Sequence, residues 1–244
     1  MDLKSINIEL ENYSAEKWLN TKSEKLNYRL RVPDKIDTKK RYPLLVYFHG
    51  SGGRGDDNRS QLTDAGAIEA FYNQQLSNNY NTYILAGQVP KNEKWVNVPW
   101  GSLTHKMPEI SKSMRLLFDI LDDIIENKDY RIDKNRVYTL GISMGGYGVW
   151  DAIQRRQNIF AAAVPICGGG DTSLCSNISS IPIWSWHGAK DQDISVQRSR
   201  AMHNGVLDAG GNPKYTEVKE RGHDVWLNVW KEKSVWDWLF SKSL

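Results

Sequence analysis

The sequence predicts a three-layer α/β fold, a mainly parallel sheet with antiparallel N-terminal edge strands held between layers of helix. Three observations predict it. Short runs that are apolar at every position recur along the chain, helical patterns fall between them, and the first forty residues alternate polar and apolar positions instead. A run apolar throughout suits a strand covered on both faces, the situation in a parallel sheet. Alternation leaves one face wet, as in an antiparallel edge strand. Strands that alternate with helices imply right-handed βαβ crossovers.

The expected edge strands are Ile6-Asn7-Ile8-Glu9-Leu10 and residues 26–32, the second stopped by Pro33. From Tyr42 the character changes. Leu44-Leu45-Val46-Tyr47-Phe48 is the first buried run, and 83–86, 137–140, 161–166 and 181–186 repeat its form, with a last strand expected over 215–219. The clearest helix spans 113–128, where Met114, Leu117, Ile120, Leu121, Ile124 and Ile125 make one apolar stripe at helical spacing. A second helix is expected from near Gly146 through Ile153, and a third over 235–240.

At 244 residues, 40% hydrophobic and 25% charged, the chain reads as one ordinary globular domain, 1–244. The net charge of +3 comes from scattered lysines and arginines, and short clusters such as Lys39-Lys40-Arg41 read as solvated loop. A basic stripe is missing, so nucleic acid is not an expected partner. No apolar run approaches the ~20 residues of a membrane span. Met1-Asp2-Leu3-Lys4 is no signal peptide, so a cytoplasmic location is expected if Met1 is native, and a periplasmic or extracellular one if a leader was removed. Cys167 and Cys175 suit either a small bridged loop or two buried thiols. No metal site is expected, because no His, Cys or carboxylate cluster has ligand spacing.

The strongest local signal is Gly141-Ile142-Ser143-Met144-Gly145-Gly146, a G-x-S-x-G pattern set between a predicted strand and a predicted helix. A serine lifted on so tight a turn needs small residues two positions to either side, where a side chain would strike the neighbouring strand or helix. Backbone N–H groups at the helix start then face the point where an oxyanion would form. Met144 N–H is one expected donor. The second expected donor is Ser51 N–H, in the loop His49-Gly50-Ser51-Gly52-Gly53-Arg54-Gly55 after the strand ending at Phe48. That loop also satisfies G-x-G-x-x-G, but no helix pattern opens at its third glycine and the next strand ends in Ala86-Gly87-Gln88, without the acid a dinucleotide site needs.

Asp191 and Asp193 both follow a late strand, in His187-Gly188-Ala189-Lys190-Asp191-Gln192-Asp193, where a carboxylate can reach a histidine. Asp191 comes first and is the expected triad acid, which leaves Asp193 to cap a helix expected near Ser195. Of five histidines, His223 lies in a loop between the last predicted strand and the C-terminal helix. His49 and His187, at strand ends, are expected to satisfy backbone groups. The chain order Ser143, Asp191, His223 is that of one triad class and fits neither the chymotrypsin-like nor the subtilisin-like order.

These phrases, together with Tyr42-Pro43-Leu44-Leu45-Val46-Tyr47-Phe48-His49-Gly50 and Gly222-His223-Asp224-Val225-Trp226, resemble the α/β-hydrolase esterases of the phospholipase/carboxylesterase and polyhydroxybutyrate-depolymerase-like groups. That neighbourhood includes carbohydrate esterases acting on feruloyl and acetyl groups of xylan. The likeness runs from about residue 26 to near the C-terminus. It implies a cofactor-independent serine carboxyl ester hydrolase acting on a small-molecule or glycan ester, with a serine peptidase of the same fold as the alternative. Trp95 and Trp100, in the loop 94–102, and Trp226, three residues past His223, are expected to line the substrate site, since flat aromatic faces suit sugars and phenolic acids. Trp150, Trp184, Trp186, Trp236 and Trp238 are expected to pack in the core or against helices.

Overall fold

A computed structural model describes residues 1–34, 36–74 and 79–244. Its strands are β1 (Tyr13–Leu19), β2 (Lys25–Arg31), β3 (Tyr42–Phe48), β4 (Tyr83–Gln88), β5 (Ile132–Ile142), β6 (Ala162–Ile166), β7 (Trp184–Gly188) and β8 (Lys214–Val218). They form one sheet in the order β1-β2-β4-β3-β5-β6-β7-β8. The β1–β2 and β2–β4 pairs are antiparallel, and every pairing from β4 through β3 to β8 is parallel.

The continuous apolar runs are apolar for the reason expected. Along β3, Leu44, Val46 and Phe48 point into one core cluster while Leu45 and Tyr47 point into another, so the strand is buried on both faces. Each such side chain contributes roughly 1.5–3 kcal/mol by leaving water. Helices α4 (Lys112–Glu126), α5 (Met144–Arg155) and α6 (Gln197–Asp208) cover the first face. The second face is covered by α1 (Leu3–Glu11), α3 (Ala67–Asn73), α7 (Trp226–Lys231) and α8 (Lys233–Phe240), with short α2 (Ser60–Thr63) preceding α3. Ser111 caps α4, its Oγ accepting the Met114 N–H at 3.0 Å, and the predicted stripe from Met114 to Ile124 is buried.

Two expectations are corrected. Residues 6–10 are not an edge strand but the last turns of α1, and the first edge strand is β1. The Asp2 carboxylate caps this helix by accepting the Ser5 N–H at 2.8 Å, and Leu10 reaches the core from Leu3 by helical steps of three and four. Five alternating residues also satisfy a helical repeat, and the cap decides between them. Helix α5 starts at Met144, two residues before the expected Gly146, because its first turn begins directly after Ser143. Cys167 and Cys175 are both free and buried. No helix among the described residues is long and apolar enough to cross a membrane.

Candidate active site

Ser143 sits between β5 and α5 with φ +54° and ψ −119°, a conformation that costs a non-glycine residue of order 1–3 kcal/mol. The surroundings enforce it. The Ser143 N–H donates to the Ile166 carbonyl on β6 at 2.9 Å. A Cβ on Gly145 would stand 1.9 Å from the Phe48 carbonyl oxygen at the end of β3, and one on Gly141 would stand 2.5 Å from the Gly145 oxygen. The two glycines let helix, serine turn and neighbouring strand approach closely.

The three residues singled out from sequence converge at the C-terminal end of the sheet. Ser143 Oγ lies 2.8 Å from His223 Nε2, and His223 Nδ1 lies 2.7 Å from Asp191 Oδ2. A carboxylate only accepts, so Nδ1 carries the imidazole proton and Nε2 accepts from the serine hydroxyl. The Asp191 side chain is fully buried, whereas His223 retains some exposure. Burial alone would raise the Asp191 carboxyl, but hydrogen bonds from His187, His223 and the Ile194 N–H outweigh it and hold the group below its ordinary value. It therefore stays ionised.

His187 supports Asp191 from the other side. Its Nε2 lies 3.2 Å from the same Oδ2 and 3.0 Å from the Ile194 carbonyl, and its Nδ1 lies 2.7 Å from Ser199 Oγ. A carbonyl can only accept, so Nε2 bears the proton and Nδ1 takes the Ser199 hydroxyl. His187 has the backbone partner expected of it, the Ile194 carbonyl, and beyond that expectation it holds the acid. The signal was its position four residues before Asp191.

Met144 opens α5 and Ser51 opens the single 3₁₀ turn Ser51–Gly53, so the N–H of each has no carbonyl one turn back to bond. Behind the second turn stands a buried polar network. His49 Nδ1 donates to the Gly50 carbonyl at 2.6 Å while its Nε2 accepts the Val89 N–H at 3.0 Å. Gln88 Nε2 donates to the Gly53 carbonyl at 3.2 Å. Burial pushes the His49 imidazole down to about 4, so it remains neutral and serves two backbone groups.

The tryptophans divide. Trp95 is not on the substrate surface: it is fully buried, edge-on to Phe48, with its indole N–H donating to the His49 carbonyl at 3.2 Å. Its loop folds inward, because Ser111 Oγ donates to the Trp95 carbonyl at 2.7 Å and ties it to the start of α4. Trp100 is half-buried, with the Lys94 ammonium 4.6 Å from its ring centre. Trp226, also half-buried, meets His223 edge to face at 5.4 Å. Asp193 caps no helix, since α6 begins at Gln197 without a side-chain cap; Asp193 is exposed, and its N–H donates to Asp191 Oδ1 at 2.9 Å. Cys167 Sγ lies within 4.8 Å of ligand atoms on Asp191 and His223, two groups already engaged with each other.

The sequence profile of the prolyl oligopeptidase family matches residues 117–208. A solved thermostable esterase is 32% identical, superimposes with a TM-score of 0.89, and is matched over 97% of this chain and 64% of its own. A solved ferulic acid esterase, 16% identical over 93% of this chain and 96% of its own, has a TM-score of 0.66 and shares the fold. A bifunctional acetylxylan esterase/xylanase of Neocallimastix patriciarum is 28% identical over 109 residues, 45% of this chain and 16% of that protein. The chain spans less than a quarter of the length of the curated relatives it matches, 23% and 16%. From its strand order, its strand-to-helix serine turn and its likeness to the thermostable esterase, the chain has the α/β-hydrolase fold and is similar to esterases of that fold.

Proposed function

We propose that the chain is a serine carboxyl ester hydrolase working through an acyl-enzyme on Ser143. The observation that carries this reading is the hydrogen-bonded line from Ser143 through His223 to Asp191. His223 Nε2 takes the hydroxyl proton as Ser143 Oγ attacks the ester carbonyl carbon, and the N–H groups of Met144 and Ser51 hold the oxyanion. Collapse of the tetrahedral species expels the alcohol, which receives the proton from His223. Water then gives a proton to His223, attacks the acyl-enzyme and releases the acid. Asp191 remains an anion throughout, fixing the tautomer and stabilising the imidazolium.

The substrate class we propose is an acetyl or feruloyl ester of a carbohydrate or phenol. It draws on the likeness to a protein named as an acetylxylan esterase/xylanase and on Trp226 standing edge to face with His223, where a flat leaving or acyl group would pass. A second reading, a serine peptidase, draws on the prolyl oligopeptidase profile. The test is a kcat/KM panel over p-nitrophenyl acetate, methyl ferulate, acetylated xylan and a peptide p-nitroanilide. Ester turnover that Ser143→Ala lowers by about 10⁴-fold or more is expected. Peptide turnover exceeding every ester hands the site to the peptidase reading.

A further inference from the structure

Arg198 stands in the first turn of α6 and is 2% exposed. No carboxylate among the described residues pairs with it, and its Nε has no hydrogen-bond partner. Its Nη2 meets His105 Nδ1, which can only accept there, and burial together with the Arg198 charge pushes the His105 imidazole down to about 4. The pair therefore carries one positive charge at neutral pH, faced at longer range by the Asp171 carboxylate, which acts on His105 and already stands 3.7 Å from the Lys106 ammonium. Burying such a charge costs several kcal/mol, and its place at a helix N-terminus adds repulsion from the helix dipole. A chain that keeps this arrangement has a use for an anion there.

The surroundings say where that anion would come from. The Arg198 guanidinium lies 5.1 Å from the ring centre of Tyr147, whose N–H donates to the Ser143 carbonyl at 3.2 Å, one helical turn from the nucleophile. His105, half-buried in the loop after β4, lies 6.0 Å from the same ring. Gly169, in the loop leaving β6, packs against the buried Nε so closely that a Cβ there would stand 2.5 Å from it. Ser199, the next residue, contacts both His187 Nδ1 at 2.7 Å and the Gly168 carbonyl at 3.2 Å, which ties the arginine's turn to the support of Asp191.

We propose that Arg198, with His105 beside it, is an anion-recognising subsite of the ester site, and that the preferred substrates carry a free carboxylate near the scissile ester. The proposal rests on the esterase reading above. A carboxylate would pair with the guanidinium, whose planar fork suits a carboxylate better than an ammonium would.

Two substrate pairs test it, each differing only in charge or nearly so. On the alcohol side, 4-acetoxybenzoate is compared with its methyl ester; on the acyl side, monoethyl adipate is compared with ethyl hexanoate. Rates are divided by those in alkaline hydrolysis to remove intrinsic reactivity. The wild-type enzyme should favour the charged member of one pair by tenfold or more in kcat/KM, and the pair that responds says which side of the ester bears the carboxylate. Arg198→Met should lower the charged-to-neutral ratio at least tenfold, and Arg198→Lys should lower it less. Turnover of the neutral esters with no charge preference in either pair leaves the esterase standing and overturns the subsite. An equal loss on both members in Arg198→Met overturns it as well, and turnover of neither pair overturns both readings. The wild-type ratio decides even if neither variant folds.

Discussion

Asp191 divides its two oxygens between His223 and its own loop: Oδ2 lies 2.7 Å from His223 Nδ1, and Oδ1 accepts the N–H groups of Asp193 and Ile194 at 2.9 Å each. Oδ1 fixes the carboxylate to the turn that follows β7, so Oδ2 meets the imidazole at a set angle. The neighbouring Asp193 offers only its backbone to this arrangement.

The pair of acids is therefore separable by substitution. Asp191→Asn should lower kcat by about 10³- to 10⁴-fold, because an amide that donates toward Nδ1 favours the wrong tautomer. Asp193→Asn should stay within about twofold, as the side chain is exposed and only its N–H is used. Steady-state hydrolysis of p-nitrophenyl acetate measures both, and equal losses would remove Asp191 from the triad.

Gly145→Ala should unfold or strongly destabilise the chain. The new methyl would stand 1.9 Å from the Phe48 carbonyl oxygen, a backbone atom in the middle of the sheet that cannot turn aside. Forcing α5 away from β3 should cost about 3 kcal/mol or more. A thermal midpoint within a degree of the wild type would refute the close approach.

Stability should fall on mild acidification because of His49. In the fold burial pushes its imidazole down to about 4, while in the unfolded chain it titrates near the ordinary value of about 6.5. Below that ordinary value the unfolded state binds the extra proton, so unfolding becomes easier as pH drops toward 4. Between about pH 7 and pH 5 this amounts to roughly 2 kcal/mol. Guanidinium denaturation of wild type and His49→Gln at the two pH values checks it: the variant should be weaker at pH 7 and lose less on acidification. Parallel losses would assign the effect to other groups.

Trp95 and Trp226 should respond to truncation in opposite ways. Trp95→Ala empties a fully buried site and should cost about 3–5 kcal/mol of stability. Trp226→Ala should cost less stability than that, since its ring is only partly buried against the core, and should raise KM for methyl ferulate, since the ring stands against His223. Denaturation midpoints and KM values for both variants give the comparison, and a stability loss at Trp226 matching that at Trp95 would make it a core residue.

Much of the architecture was legible before any coordinate. The run 44–48 announces a strand covered on both faces because each face of β3 packs into its own core. The strand-to-helix turn at Ser143 announces itself because no residue larger than glycine can stand at Gly141 or Gly145. Residues 6–10 fit both periods, and the deciding feature, the Asp2 cap, lies outside them.

By itself, then, the sequence determined the layered fold, the strand-to-helix turn at Ser143, and the order in which an acid and a histidine follow it. These are local properties: periodicity, small residues at a crowded turn, and position relative to strand ends. Tertiary structure alone decided which side chains meet. The strand order sets the ends of β5, β6, β7 and β8 side by side, and so brings Asp191 to His223, His187 to Asp191 and Arg198 to the helix that follows Ser143. It also sent Trp95 into the core and set Trp226, the first residue of α7, against His223. Burial and contact depend on what the rest of the chain places opposite a residue, and no stretch of sequence carries that information alone.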